Sequence, residues 1–343
     1  MDKVFIKTCL GKNNKIIPKW FMRQAGRYLP EYMEVRNGCK NFLDLCYTPK
    51  KACEVTIQPL DRFNFDAAII FSDILVIPDA LGIKVDFIKG QGPKLQSLLN
   101  DKKVSDLKFN IKHLDPVYEA IDLTKSKINA SYSDKSLIGF AGAPWTLATY
   151  MIAGSGVKDY NGIKKWIYEN PEDFSRLLDL LIDSTTEHLI KQIDAGCEAI
   201  QIFDSWAGVL NPQEFYDWSI FPIKKIVKNI KKVHPKVPVI GFPKGAGVLY
   251  KAFAKNVGVD VLSIDQNLPI SWALDNIDNV VLQGNLDPLI LAVNLDRAIE
   301  QTKFIMMSLK GRAHVFNLGH GILPFTPPDN VSKVIEVIDN YRG

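Results

Sequence analysis

Paired cysteines, long apolar runs and arginine are scarce in this 343-residue chain. Its five cysteines, Cys9, Cys39, Cys46, Cys53 and Cys197, form no CxxC pair and have no histidine beside them at ligand spacing. Neither a disulfide framework nor a zinc ribbon is indicated, and no metal is expected. No apolar run reaches the roughly 18 to 20 residues of a membrane span. The best stretch, residues 67–81, is interrupted by Asp73 and Asp79. Residues 1–15 carry Lys3, Lys7, Lys12 and Lys15 without the apolar core of a signal peptide. These absences give the expectation of a cytoplasmic protein with no membrane contact. Linkers rich in Pro, Gly or Ser are also missing, so residues 1–343 read as one domain. No GxGxxG follows the first strand-like run, and Gly241 to Gly247 spells GFPKGAG, which fits neither the dinucleotide fingerprint nor a P-loop. A net charge of +4 is mild, and the lysines of residues 224–236 alternate with Ile and Val at helical spacing. That pattern is a solvated helix face; nucleic-acid binding would need a denser basic stripe or aromatic platforms.

With 47% hydrophobic and 23% charged residues the chain can bury a sizeable core. After residue 60 one theme repeats: a short apolar run ends in Gly, Ser, Asp, Asn or Pro and gives way to a helix-period segment. Seven such runs cover residues 67–71, 137–140, 199–203, 237–241, 259–264, 280–282 and 314–318. Their continuous Ile, Val, Leu and Phe suit parallel strands covered on both faces. Asn170-Pro171 and Asn211-Pro212 predict helix starts, Ala195-Gly196 a helix end, and residues 288–310 and 328–341 two further helices. Residues 83–103 predict an inserted hairpin or lid-like loop. Alternating strand and helix leaves a closed barrel or an open doubly wound sheet. Seven units with a short eighth, residues 16–22, favour a single-domain (β/α)8 TIM-type barrel.

Of the 42 basic residues only eight are arginine, and three of these, Arg23, Arg27 and Arg36, share one short segment. The guanidinium fork binds carboxylates bidentately, which an ammonium cannot imitate, so the cluster points to a required geometry as readily as to a structural loop. In an α/β barrel the chemistry collects at the C-terminal ends of the strands. Asp73, Tyr150, Ser205 and His320 all fall there. Each alone could be a cap or a satisfied loop residue; together they mark a candidate site.

Residues 18–31, Pro18-Lys19-Trp20-Phe21-Met22-Arg23-Gln24-Ala25-Gly26-Arg27-Tyr28-Leu29-Pro30-Glu31, resemble the N-terminal signature of the uroporphyrinogen decarboxylase family. That family converts uroporphyrinogen III to coproporphyrinogen III in haem synthesis. Gly139-Phe140-Ala141-Gly142-Ala143-Pro144-Trp145-Thr146-Leu147, continuing through Tyr150-Met151 to Gly154, resembles its second signature. The resemblance continues through Phe71-Ser72-Asp73-Ile74-Leu75, Phe203-Asp204-Ser205-Trp206-Ala207-Gly208, Gly284-Asn285-Leu286-Asp287-Pro288 and Asn317-Leu318-Gly319-His320-Gly321-Ile322-Leu323-Pro324. It implies a (β/α)8 barrel paired into a homodimer with facing mouths, acting on a porphyrinogen without metal or organic cofactor. It also implies that Asp73 accepts hydrogen bonds from the pyrrole N–H groups and that Arg23, Arg27 and Arg36 clamp carboxylates. Gln24, Tyr150, Ser205 and His320 would add hydrogen bonds, and Ile69 and Phe203 an apolar floor. The catalytic set is then Asp73, Arg23, Tyr150 and His320, with the proton donor open among Arg23, Tyr150, His320 and bound water. Two other readings compete. A corrinoid-dependent methyltransferase would share the barrel but needs a His-x-Cys pair and a further Cys, and no Cys follows Cys197. A non-catalytic tetrapyrrole carrier would have kept the pocket without the reaction.

Overall fold

Strands without strict polar alternation need cover on both faces. The computed structural model, which describes residues 3–13, 15–88 and 92–341, provides that cover. Its described residues form nine strands: β1 (Ala67–Ile69), β2 (Val85–Ile88), β3 (Gly92–Leu95), β4 (Ser136–Gly142), β5 (Ala199–Asp204), β6 (Val239–Pro243), β7 (Val261–Ser263), β8 (Val281–Leu286) and β9 (His314–Leu318). Seven make one curled sheet in the order β1-β4-β5-β6-β7-β8-β9, each pair parallel. β2 and β3 pair antiparallel as the expected hairpin, whose tip, residues 89–91, lies outside the described residues. The hairpin docks on the end of the second motif, with Leu95 N–H donating to the Gly154 carbonyl at 2.7 Å.

The eighth member of the ring is shorter than residues 16–22 predict. It is a single bridge, Lys19 beside Phe316. Phe316 N–H donates to the Pro18 carbonyl at 2.8 Å, and Asp66 N–H to the Lys19 carbonyl at 2.8 Å, which joins β9 to β1. The buried Lys19 ammonium lies 3.0 Å from Asp66 Oδ2 and 2.7 Å from Asp339 Oδ1. Two carboxylates on one desolvated ammonium make this closure costly to break.

Side-chain period two fills the barrel in layers. Ala67, Ile138, Ala199, Ile240, Val261, Val281 and Val315, one from each strand of the curled sheet, pack with Trp20, and with Phe5 and Cys9 of the short helix Val4–Cys9. Two residues further along the same faces, β5, β7 and β8 contribute polar side chains. Trp20 Nε1 donates to Gln283 Oε1 at 3.0 Å, and Gln283 Nε2 donates to Gln201 Oε1 at 3.0 Å and to Ser263 Oγ at 3.2 Å. Each buried amide is thereby held in one orientation.

β1 leaves the sheet early: its pairing with β4 stops at Ile69 opposite Ile138. Beyond that point a side chain replaces the missing strand. Phe140 N–H donates to Gln192 Oε1 at 2.9 Å, and Gln192 Nε2 donates to the Phe140 carbonyl at 2.8 Å. Gly139 makes room, since a Cβ there would lie 2.5 Å from Gln192 Oε1. His188, which neighbours Gln192 Nε2 at 2.8 Å and is pushed down to about 3 by burial, stays neutral. Residues 70–75 are thus free to turn over the mouth.

The helices differ from expectation in two places. Residues 288–310 are two helices, Pro288–Val293 and Leu295–Ser308, because the Asn294 side chain accepts from Arg297 N–H and starts the second. Asn211 caps as expected, accepting from Glu214 N–H at 3.0 Å. Asn170 does not: its amide donates back to the Trp166 carbonyl at 2.9 Å and secures the preceding helix instead of the helix Pro171–Asp194. In the helix Phe221–Val233 the Ile223, Ile226, Val227 and Ile230 side chains are buried, and Lys224, Lys228 and Lys232 face solvent.

Candidate active site

The segment that closes the ring continues directly into the arginines. Arg23 adopts φ 63°, a left-handed conformation costly for a residue with a Cβ. Its side chain lies over Gly321, where a Cβ would collide with Arg23 Cδ and come within 2.7 Å of Cγ. Arg23 reaches solvent at the mouth, yet protein crowds its guanidinium. That crowding lowers its pKa, with Asp73 opposing, Arg27 adding and Tyr150 opposing.

Asp73 lies four residues past the end of β1. One carboxylate oxygen accepts from Leu75 N–H at 2.8 Å, which turns the chain and fixes the side chain. The carboxylate keeps some solvent contact at the mouth but is enclosed by protein on its other sides. Burial pushes its pKa up to about 6, against the pull of the Leu75 amide and of Arg23.

Tyr150, on the helix Pro144–Ala153, faces the same charges. Its phenol is pushed up by burial and then by Asp73, with Trp206 and Arg23 opposing. His320 is pushed down to about 3 by burial, then by Arg23 and Lys244, so the ring is neutral at physiological pH. Its Nδ1 is buried without a hydrogen-bond partner among the described residues. Arg23, Arg27, Asp73, Tyr150 and His320 therefore share one electrostatic neighbourhood.

The other expected residues sit around this group at differing removes. Phe203 is buried in an arc of rings, 5.6 Å from Phe140 and 6.3 Å from Phe242 between centroids, with Phe242 6.5 Å from the His320 ring. Ile69 packs against the layer below. Ser205 is half-buried on a loop that Asp204 anchors. Thr146 and Ser219 donate to the Asp204 carboxylate at 2.7 and 2.6 Å, while burial pushes that carboxyl up to about 6. Arg36 places its guanidinium 5.6 Å from the Phe42 ring centroid and shares only the surroundings of Cys46 with Asp73. Gln24 is fully buried behind the mouth, its Nε2 donating to the Ala67 carbonyl at 3.3 Å. Phe140, Phe242 and Lys244 also border this group with no motif to mark them, although Phe140 and Phe242 follow Ile138 and Ile240 at period two. Among the described residues no three His, Cys, Asp or Glu side chains gather as a metal site.

The family model described as uroporphyrinogen decarboxylase (URO-D) matches residues 2–341. The uroporphyrinogen decarboxylase of Rhodospirillum rubrum is 48% identical over 340 residues, 98% of this chain and 97% of that protein. The uroporphyrinogen decarboxylase of Rickettsia africae is 48% identical over 341 residues, 99% of this chain and 97% of its own. Among solved structures a methyltransferase from Methanosarcina mazei superposes with a TM-score of 0.80 over 99% of this chain and 98% of its own, at 16% identity. A B12-independent methionine synthase from Shewanella sp. W3-18-1 gives a TM-score of 0.55 at 11% identity, covering 95% and 96%. At such identities the last two speak to the barrel alone.

Proposed function

Since the chain belongs to the uroporphyrinogen decarboxylase family and is therefore a carboxy-lyase of haem biosynthesis, we propose that Asp73 is the group around which its reaction turns. The substrate, uroporphyrinogen, loses its four acetate carboxyls as carbon dioxide and becomes coproporphyrinogen. Each acetate exchanges carbon dioxide for a proton. The electron pair left behind needs a sink, and a pyrrole protonated at a ring carbon supplies one as an iminium-like cation. The Asp73 carboxylate accepts from the pyrrole N–H groups and offsets that cation. Because the interaction strengthens as charge develops, it lowers the barrier and does more than bind.

Arg23, Arg27 and Arg36 hold the carboxylates, and holding them fixes the acetate relative to the ring. Tyr150, its phenol pushed up, keeps its proton as a hydrogen-bond donor. Neutral His320 offers an unpartnered ring nitrogen, and Ser205 a hydroxyl at the rim. The Phe140, Phe203 and Phe242 arc with Ile69 forms the apolar floor. Gln24 acts through β1, by its bond to Ala67. Of the possible donors, Arg23 and His320 are both pushed down by their surroundings, which eases release of a proton, whereas the Tyr150 phenol is pushed up.

The supporting observation is the placement of Asp73: an enclosed carboxylate at a strand end, electrostatically tied to Arg23 and Tyr150. Uroporphyrinogen supplied anaerobically is expected to give coproporphyrinogen and carbon dioxide; recovery of unchanged substrate overturns the proposal. The same reading extends to a cytoplasmic homodimer with facing mouths. No helix of the described residues is long and apolar enough to cross a membrane. Sedimentation is expected to give twice 38.6 kDa.

A further inference from the structure

Uroporphyrinogen carries carboxylates all round its rim, whereas Arg23, Arg27 and Arg36 come from one segment. In the ring of seven strands plus the residue 18–22 segment, β6 stands four places from that segment in either direction, on the opposite wall. A macrocycle held from one side only would be free to tilt, so a cation is needed there. The loops that follow the strands hold few candidates. Residues 70–75, 143–157, 205–210, 264–269, 287–294 and 319–327 contain no Lys or Arg. Only the loop after β6 supplies one at once, Lys244 of GFPKGAG.

Lys244 follows Ile240 and Phe242 at period two. Ile240 fills the lower layer and Phe242 borders His320, so the next residue on that face stands at the mouth. Its backbone is clamped from both sides: Lys244 N–H donates to the Asp204 carbonyl at 3.1 Å, and its carbonyl accepts from Gly208 N–H at 3.0 Å. The next residue, Gly245, at φ 78°, donates its N–H to Asp265 Oδ2 at 2.6 Å. Gly208 lies so close to Gly245 that a Cβ on it would come within 2.6 Å of the Gly245 carbonyl oxygen. Such a fixed base gives a flexible lysine a defined reach. Lys244 is half-buried and its ammonium has no hydrogen-bond or ion-pair partner among the described residues, whereas Lys164 and Lys231, half-buried too, pair with Glu214 and Asp260.

Resting on the function proposed above, we infer that Lys244 is a further substrate-binding residue, gripping a porphyrinogen side-chain carboxylate on the wall opposite the arginines. The test compares wild type, Lys244→Met and Lys244→Arg with uroporphyrinogen under anaerobic conditions, with products resolved by carboxyl number and melting followed in parallel. Lys244→Met is expected to raise KM about tenfold, the scale of one lost charge-assisted hydrogen bond, with kcat within about twofold. Lys244→Arg is expected to restore KM to within about threefold, because a point charge suffices here. An unchanged KM in a normally melting Lys244→Met overturns the inference while leaving the decarboxylase assignment standing. So does a loss that tracks a lowered melting temperature and is not rescued by arginine. A wild type that converts nothing overturns both.

Discussion

Replacing Asp73 by Asn removes one negative charge from the mouth and leaves side-chain size, and an oxygen for the Leu75 amide, in place. A fixed charge aimed at charge that develops in the transition state is worth about 10²- to 10³-fold in rate, so kcat falls by that factor. KM moves less than about threefold, because the arginine grip persists. The pH profile gives a second number. The carboxyl titrates at about 6, so wild-type activity that needs the carboxylate is halved near there and about a tenth of its plateau one pH unit lower. The residual activity of Asp73→Asn lacks this step, which separates Asp73 from the substrate's own carboxyls. Stability moves in the opposite sense. The raised value means that the fold favours the protonated form, so ionised Asp73 costs stability above about pH 6 and nothing below its ordinary value of 3.8. Asp73→Asn is therefore expected to melt above wild type at alkaline pH, with the gap vanishing on acidification. Anaerobic turnover and calorimetry across pH measure both. Near-normal turnover by the variant, or the same acid step in both proteins, would refute the central role.

Arg27→Lys keeps the charge and loses the fork, so kcat/KM for uroporphyrinogen is expected to fall at least about tenfold; unchanged efficiency contradicts the clamp. In Gly321→Ala the new methyl displaces the Arg23 stem. A misplacement of this kind costs about 10²-fold in activity, with little change in melting temperature. Retained activity in a normally folded Gly321→Ala would remove Arg23 from the working geometry.

The strands were legible where apolar runs are continuous, and His314–Leu318 coincides with its expected bounds. They were less legible where polar residues belong inside. Gln283 and Asn285 belong to β8, yet a run read for hydrophobicity ends at Leu282. The same bias hid Gln192, because a polar side chain on a helix gives no sign that it will stand in for a strand. Asn294 hid a helix break inside a good periodic pattern. At the candidate site, Arg23, Asp73, Tyr150 and His320 stand out in the sequence by motif and strand end, and in the structure they share one electrostatic neighbourhood. Gln24 shows the limit: its place in the RQAGR string says nothing of its full burial against the Ala67 carbonyl. Lys244 carries no such sign, since GFPKGAG fits no nucleotide-binding fingerprint and a single lysine in it names no ligand.

Lys19 acts as a clasp on which both extremities of the chain converge, with Asp66 at the threshold of the first strand and Asp339 closing the last helix. Four residues past that clasp comes Arg23. A carboxylate load on Arg23 would thus pass to the hoop at its narrowest joint, a single bridge held by a buried ion pair, with the terminal helix Pro328–Asp339, remote from any reacting atom, as part of its anchor.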